Sequence, residues 1–517
     1  MTWPDVAVMG LYAGLLLWIG QRATRGGLDA SELMLGGRRL PAWAVLCSMV
    51  ATELSAATFI GVPHAAYTGD WSYLQLAVGA LIAKGILARW VIPLYHRAGV
   101  VTVYGFLALR FGERPRRVAA LGFIGGRVMA SGVRLFIAAL ALSAVSNVPI
   151  VPAIVGCGVL AGIYTVLGGI RAVVWTDVLQ GALFVVAAVA ILIALALQTA
   201  GGLGAIFEWA SEHERNRVLY ADPLFSLGDG RAFGVALIGA FFLTLATHAT
   251  DHDMVQRLLT TRDARGAGGA LLGSALLNFP LSLVFLCIGT GLAHFYLTDP
   301  GYAIDDHARI LPLFALHELP SGLRGLVFAG LFAAAMSSLD SAICAIATTW
   351  VSDVHAQPRT RIDPARRMRR ASVVFCAILI AAALSMAGYH AALLRSGAGA
   401  GFSLVDFALS SMTVLYGALL GIFALGLLTR TRGSQRSVLV AAALGAATGV
   451  GLFLHPIILG RTHIAWPWWI PISAALTFAV AALGRTLDSD RALSNRGDEA
   501  YDRARRAARA AEQEPQA

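Results

Sequence analysis

The chain has 517 residues, of which 57% are hydrophobic and only 14% are charged, and its mean hydropathy is +0.69. Because about 25% of the residues in a typical soluble domain are charged, this composition excludes an ordinary soluble protein and is typical of proteins that span a membrane. The formal net charge is +10, and the 5 cysteines stand alone in apolar segments, where they form neither a disulfide framework nor a metal-binding motif.

Apolar runs of membrane-spanning length predict an all-α integral membrane protein with about 13 transmembrane helices. The predicted spans are 5–20, 43–69, 71–93, 118–146, 149–167, 174–197, 232–256, 268–297, 323–351, 371–391, 403–428, 438–460 and 464–484. Basic residues gather in every second loop. This bias predicts a protein of the cell inner membrane whose N-terminus lies outside and whose C-terminus lies in the cytoplasm. In that arrangement Arg257 lies on the cytoplasmic side, and Lys84 is expected to extend along its helix to the cytoplasmic interface. The same bias accounts for most of the positive charge, so the expected partner is the lipid bilayer and not nucleic acid.

Two of the predicted spans, five apart in order, carry polar residues at mid-membrane. The second contains Glu53, several hydroxyl residues and a Gly-x-Pro break that ends at Pro63, and the seventh is interrupted between Thr247 and Asp253. Polar groups and broken helices are costly inside a membrane and persist where they line a cavity or an ion path. Paired breaks in corresponding positions are typical of secondary transporters, in which freed backbone carbonyls coordinate a cation.

The broken spans also predict how the chain is divided, because each would open a five-span unit and the two units would have opposite orientation. We expect a first helix and cytoplasmic loop at 1–42, the first unit at 43–200 and an external loop at 201–231. The second unit follows at 232–430, then two additional spans at 431–485 and a cytoplasmic tail at 486–517.

Three motifs carry a resemblance to a known family. They are Tyr164-Thr-Val-Leu-Gly-Gly-Ile-Arg-Ala-Val-Val-Trp-Thr-Asp-Val-Leu-Gln180, Asp251-His-Asp-Met-Val-Gln-Arg257 and Ala333-Ala-Ala-Met-Ser-Ser-Leu-Asp-Ser341. Over about residues 30 to 430 the chain resembles the sodium/solute symporter family, which contains the sodium–glucose, proline, pantothenate and sialic acid symporters. The resemblance implies a leucine-transporter-like core of two inverted five-helix repeats, here spans 2–6 and 7–11. It also implies sodium-coupled symport of a small organic solute into the cell by alternating access, with sodium as the only cofactor.

The resemblance further implies a sodium site between the second and ninth spans. Its ligands would be the backbone carbonyls of Ala51, Leu54 and Ala334 and the hydroxyls of Ser337 and Ser338. Oxygen atoms freed by helix unwinding suit a hard cation such as sodium. The alternative is that both serines are packing residues that donate to carbonyls of the preceding helical turn.

Some family members hold a second sodium ion nearer to the cytoplasm, and the matching positions here are Asp177, Asp340 and Ser341. Two carboxylates suit a cation. Alternatively, either aspartate could pair with Arg171 or cap a helix end.

The solute is expected beside both breaks. Candidate solute-binding residues are Glu53, Ser55, Thr58, His64, Gln75, Arg134, Thr247, His248, Asp251 and His252, and candidate aromatic gates are Phe59, Tyr67 and Tyr416. The resemblance to sugar-transporting members makes Thr58 and Asp251 substrate-contacting positions, and it places Glu53 where the proline branch has another carboxylate. Each of the three aromatic residues could instead serve only in packing.

Two pairs of charged or titratable residues are compatible with more than one class of solute. His252 stands where the family commonly has glutamine, and His248 precedes it by four residues on the same helical face, so the pair could bind solute, sense protons or form a mutual hydrogen bond. Arg127 and Arg134 share one face of the fourth span. One could neutralise Glu53 or Asp251, and one could hold a substrate carboxylate. That choice decides whether the solute is an acid or a neutral polyol.

Two other functions remain open at this stage. A proton-coupled carrier on the same fold would titrate Glu53, Asp251 or His248, and a membrane sensor would keep the fold without transport. An enzyme is not expected, because the sequence shows no nucleophile–base pair, metal-binding motif or phosphate loop. The protein is expected to be monomeric.

Overall fold

The computed structural model describes residues 2–23, 30–146, 148–298, 309–355, 364–395 and 404–485. Regular structure in these segments is helical. In chain order the helices are α1 Trp3–Ala23, α2 Ala30–Leu35, α3 Ala42–Glu53, α4 Ala56–Thr68, α5 Ser72–Ala98, α6 Tyr104–Phe111, α7 Glu113–Ser146, α8 Ile150–Gln198 and α9 Gly202–Glu212. They continue with α10 Phe233–Ala249, α11 His252–Leu259, α12 Ala264–Leu297, α13 Ile310–His317, α14 Leu323–Thr349, α15 Pro364–Arg395, α16 Leu404–Leu428, α17 Gln435–Leu459 and α18 Trp469–Ala482.

The positions of the predicted spans agree with these helices. Within the described segments, 9 helical spans are long and apolar enough to cross a membrane, 2 further pairs are bent by more than 40°, and 2 shorter apolar helices lie at Ile150–Ile163 and Trp466–Ala482. Each predicted span coincides with one of these. The number of membrane crossings itself stays a prediction.

The double glycine of the first motif is the point at which α8 changes direction. The spans predicted at 149–167 and 174–197 are joined in one helix whose backbone leaves helical geometry only at Gly169, with φ 58° and ψ −167°. A Cβ atom at this position would lie 2.8 Å from the Leu33 carbonyl oxygen. Positive φ and this close backbone approach both favour glycine, which carries no Cβ.

The first broken span consists of α3 and α4, which meet at an angle of 54°. The break lies at Leu54 and Ser55, whose backbones are extended, and the Ser55 hydroxyl accepts a hydrogen bond from the Ala57 N–H to cap α4. The predicted break at Pro63 is wrong, because this residue lies inside α4. A capping serine supplies what the new helix start requires, whereas a buried proline is tolerated where neighbouring helices hold the backbone.

The second broken span consists of α10 and α11, which meet at an angle of 58°. Asp251 caps α11 by accepting a hydrogen bond from the Asp253 N–H at 2.8 Å. Because the break falls between His248 and His252, the prediction that these histidines share a helical face is wrong.

The centre of the bundle is α14, whose residues are buried almost without interruption from Gly325 to Thr349. It packs against α1, α3, α7, α8 and α15. Its many small residues allow this close contact between helices. The central position of α14 brings its serines against the first break.

Candidate ion and solute sites

Three of the five predicted sodium ligands, Ala51, Ala334 and Ser337, come together where α14 passes the end of α3. Ser337 Oγ lies 2.9 Å from the Ala51 carbonyl oxygen and 3.2 Å from the Ala334 carbonyl oxygen, and Ser338 Oγ lies 3.5 Å from the latter. Leu54 stands at the break itself. Both serines bond back within α14, as the packing alternative requires, but Ser337 also reaches across to a carbonyl of another helix. This set of buried oxygen atoms fits a hard cation.

A row of buried ion pairs begins on α7. Arg127 Nη1 lies 3.1 Å from Asp251 Oδ2, and the same guanidinium pairs with Asp253. The Tyr416 hydroxyl donates to Asp251 Oδ2 at 2.5 Å. All of these side chains are fully buried. Arg127 therefore pairs with two carboxylates and neutralises their charge at the start of α11.

The row continues towards the predicted second ion site. Arg257 Nη1 lies 2.6 Å from Asp253 Oδ1, and its Nη2 lies 3.2 Å from Asp177 Oδ2, which also accepts a hydrogen bond from Ser48 Oγ at 2.5 Å. We call Arg127, Asp251, Asp253, Arg257 and Asp177 the ion-pair ladder. It contains three carboxylates and two guanidinium groups.

The ladder corrects two expectations. Arg257 is fully buried and does not lie at the cytoplasmic surface, because it finds two carboxylates inside the protein. Arg171 is exposed, and the guanidinium that pairs with Asp177 is that of Arg257. Of the other second-site residues, Asp340 Oδ1 accepts from the Ser341 N–H at 2.6 Å, and Ser341 Oγ lies 3.4 Å from Asp253 Oδ2.

A cavity of about 190 Å³ lies between the two breaks. Typical small-molecule pockets have volumes of about 300–1,000 Å³, so this one suits a small solute. Among the predicted residues it is lined by Glu53, Leu54, Thr58, Arg134, Thr247 and His248. Further lining residues are Tyr73, Lys84, Thr244, Asn278, Phe279, Ser282, Met412 and Trp466.

The remaining predicted solute residues lie elsewhere in the described structure. Ser55 and Asp251 cap helices. Gln75 Nε2 donates to the Arg231 carbonyl at 2.9 Å, and its Oε1 accepts from the Tyr220 N–H at 3.1 Å, so this residue holds the external loop.

His252 and the three predicted gates also lie away from the cavity lining. His252 is buried between the rings of Tyr104 and Phe123. Phe59 packs against Phe184 and Phe285. Tyr416 is the buried donor to the ladder, and His64 and Tyr67 line a separate small crevice with Ile310 and Leu311.

One wall of the cavity is a polar cluster around Glu53. Lys84 Nζ lies 2.6 Å from Glu53 Oε2, and His248 Nε2 and Ser274 Oγ each lie 3.1 Å from Glu53 Oε1. Asn278 Nδ2 also donates to Glu53 Oε2. We call these five residues the Glu53 cluster. The cluster joins α3, α5, α10 and α12, and therefore links the two broken spans.

The prediction that Lys84 reaches the cytoplasmic interface is wrong. This residue is 2% exposed, and its ammonium group donates to Glu53 and, at 2.8 Å, to Ser274. The ion pair with the Glu53 carboxylate holds the ammonium group inside the bundle.

Sequence reasoning missed Ser274 and Asn278, although a signal was present. Together with Ser282 they recur at four-residue intervals along the otherwise apolar helix α12. Residues at this spacing lie on one helical face, and a polar stripe on a membrane helix points to a cavity or a polar partner.

Arg134 lines the other part of the cavity. Its Nη2 lies 3.5 Å from Met412 Sδ, a weak acceptor, and its Nη1 has no hydrogen-bond partner among the described residues. The side chain is buried, with 6% exposure. Unlike Arg127, which pairs with two carboxylates, it is a buried cation beside a cavity and has no carboxylate partner among the described residues.

A sequence model of the sodium:solute symporter family matches residues 33–431 of this chain. The chain belongs to the sodium:solute symporter family. It is therefore a multi-pass membrane transporter that couples the movement of sodium to symport of a small solute. This membership favours sodium coupling over the proton-coupled and sensory alternatives.

Individual members of the family are similar over most of their length. The chain is 28% identical over 441 residues to the sodium/sialic acid symporter NanT of Aliivibrio fischeri, covering 84% of this chain and 85% of the relative. It is 31% identical over 382 residues to the sodium/sialic acid symporter SiaT of Proteus mirabilis, covering 72% of this chain and 75% of the relative.

A solved structure has the same architecture. It shows a Na⁺-coupled sialic acid symporter in a substrate-bound outward-open state and is described as revealing a novel Na⁺ site. Its TM-score with this sodium:solute symporter is 0.81 at 25% identity, covering 93% of this chain and 97% of the other. The leucine-transporter-like fold predicted from the motifs is confirmed.

Proposed function

We propose that this symporter transports a small organic anion whose carboxylate binds Arg134. The observation that carries the proposal is the buried Arg134 guanidinium, which lines the cavity and has no partner for Nη1 among the described residues. A buried guanidinium without a paired anion is costly, and a carboxylate can accept two parallel hydrogen bonds from it. The sialic acid symporters among the relatives are named for a solute that is itself an acid.

The Arg134→Gln variant tests this proposal. Because charge-assisted hydrogen bonds contribute about 1.5–3 kcal/mol each, the affinity for carboxylate solutes should fall roughly tenfold to a hundredfold. Binding of neutral polyols should not change. The measurement is ligand-induced thermal stabilisation of the purified protein in sodium buffer across a panel of carboxylates and polyols.

Arg217→Gln is the matched control, because Arg217 is an exposed residue of the external loop. It should retain the wild-type preference. Unaltered carboxylate affinity in Arg134→Gln would exclude this guanidinium as the anion site.

We also propose that sodium binds the carbonyls of Ala51, Leu54 and Ala334 and the hydroxyls of Ser337 and Ser338. The convergence of Ser337 on carbonyls of two helices supports this assignment. A cation there would tie the broken span to the central helix α14 and so favour one arrangement of the bundle before the solute binds.

The double variant Ser337→Ala and Ser338→Ala should lose its stabilisation by sodium. An ion present at 100 times its dissociation constant stabilises a protein by about 2.7 kcal/mol, so the sodium-dependent rise in melting temperature should largely disappear. The measurement compares melting in sodium and in choline at equal ionic strength.

Ser410→Ala with Ser411→Ala is the matched control, because these adjacent serines are equally buried and bond to carbonyls three residues earlier in α16. This control should keep the full response to sodium. A full response in the Ser337 and Ser338 variant would place the ion elsewhere.

We propose a second cation site at Asp177, Asp340 and Ser341. Asp177 Oδ1 is buried without a partner among the described residues, and the excess of carboxylates over guanidinium groups in the ion-pair ladder favours a cation nearby. One sodium ion with one monoanion would move no net charge. A second sodium would add about 2.3 kcal/mol of driving force per 100 mV.

The charge distribution of the loops supports a proposal about the cellular setting. We propose a monomer in the cell inner membrane, with the N-terminus outside, the C-terminus in the cytoplasm and inward solute movement by alternating access. Most arginines of the predicted cytoplasmic loops support this orientation. The burial of Lys84 and Arg257 removes only two charges from that side. Neither an enzymatic activity nor a nucleic-acid partner forms part of the proposal.

A further inference from the structure

Asn278 presents an unused acceptor beside the cavity. Its Nδ2 donates to Glu53 Oε2, and its Oδ1 is buried without a hydrogen-bond partner among the described residues. The residue lines the same cavity as Arg134. The cavity therefore has a cationic donor on one side chain and an amide acceptor on another.

The orientation of this amide follows from its neighbour. Glu53 is paired with the Lys84 ammonium group at 2.6 Å and, as an ionised carboxylate, can only accept hydrogen bonds. Turning the amide over would place Oδ1 against a carboxylate oxygen and lose the bond from Nδ2. The carbonyl end of Asn278 is therefore held away from Glu53.

Support of Glu53 alone does not account for an amide at this position. Ser274, one turn earlier on α12, already donates to Glu53 with a hydroxyl at 3.1 Å. An asparagine supplies a second polar atom as well, and a buried acceptor that lacks a partner is unfavourable. A donor on the bound solute would remove that penalty, and a site of this kind rejects solutes that lack the donor.

We infer that the solute carries a hydroxyl group in addition to its carboxylate, and that Asn278 Oδ1 accepts the hydrogen bond from that hydroxyl. This inference rests on the proposed binding of the carboxylate at Arg134. It makes Asn278 a residue that selects hydroxylated carboxylates over their deoxy analogues.

The test uses butyrate and 2-, 3- and 4-hydroxybutyrate, four acids that share one carbon chain and fit a small cavity. Dissociation constants are measured in sodium for the full-length wild type and for Asn278→Thr, Arg134→Gln and Asn216→Thr. In the wild type at least one hydroxybutyrate should bind about tenfold more tightly than butyrate. In Asn278→Thr, whose hydroxyl can still donate to Glu53, that ratio should fall to about one, because the affinity for the preferred hydroxybutyrate falls about tenfold more than the affinity for butyrate.

Asn216→Thr is the control, because it makes the same substitution in the external loop, and it should keep the wild-type ratio. Equal weakening of all four acids in Asn278→Thr would show a purely structural role and overturn the inference. Equal binding of all four acids by the wild type, with all four weakened in Arg134→Gln, would overturn the inference and leave the carboxylate site standing. If Arg134→Gln binds all four acids as the wild type does, or if the wild type binds none, the carboxylate proposal fails and the inference fails with it.

Discussion

The Arg127→Met variant is expected to lose about 3–5 kcal/mol of unfolding free energy, because removal of one partner from a buried ion pair leaves an uncompensated charge. Here the Asp251 carboxylate would lose its guanidinium, and Asp253 would keep only that of Arg257, in a fully buried site. Methionine has a similar length, so the loss of charge dominates over the loss of volume. The measurement is denaturant-induced unfolding in detergent, followed by the fluorescence of the native tryptophans.

A second variant separates charge from packing. Arg127→Met combined with Asp251→Asn removes the carboxylate that is left without a guanidinium and should recover a large part of the lost stability. Arg171→Met makes the same substitution at an exposed position and should change the unfolding free energy by less than about 0.5 kcal/mol. Wild-type stability in Arg127→Met would show that the two carboxylates do not depend on this residue.

The ion-pair ladder connects the second broken span with the candidate second ion site. Asp251 caps α11, Asp253 lies next to Ser341, and the far end of the ladder is Asp177 with its Ser48 donor. An added cation would change the charge balance along the whole row. The ladder therefore offers a physical route by which ion occupancy favours one position of the second broken span.

The existence of both breaks could be predicted from the sequence, but the position of the first could not. Glu53 and Asp251 are conspicuous in apolar segments, and their cost inside a membrane makes a cavity or ion path the natural explanation. Where the helix ends depends on capping. Ser55 and Pro63 are both plausible positions, and in the structure Ser55 caps the start of α4 whereas Pro63 lies inside it.

Long-range pairing explains what the sequence could not predict. Lys84 and Arg257 look like interfacial charges, and their burial requires carboxylates that lie 31 and 80 residues away in the chain. For the same reason, only some of the residues around the cavity could be predicted from the sequence. Thr58, Arg134 and His248 line the cavity, whereas the Gln75 side chain forms hydrogen bonds with the backbone of the external loop.

The Glu53 cluster gives the second large expected effect. Lys84→Met should lower the unfolding free energy by about 3–5 kcal/mol, because the Glu53 carboxylate would stay buried without its ammonium partner. Glu53→Gln should have a comparable effect, since it leaves the Lys84 charge unpaired. The double variant should be more stable than either single variant, as expected when a whole buried pair is replaced by neutral groups.

A double-mutant cycle measured by denaturant unfolding gives the interaction energy between these two residues. Glu113→Gln, which removes the exposed carboxylate that pairs with Arg116, is the control and should cost less than about 1 kcal/mol. The cycle should also be repeated in sodium, because Glu53 stands between the carbonyls of Ala51 and Leu54 and its anchoring to α5 holds the break in place. Lys84→Met should therefore weaken the stabilisation by sodium although it removes none of the proposed ligands. Additive single-variant effects together with an unchanged sodium response would mean that the ion pair neither stabilises the fold nor positions the carbonyls at the break.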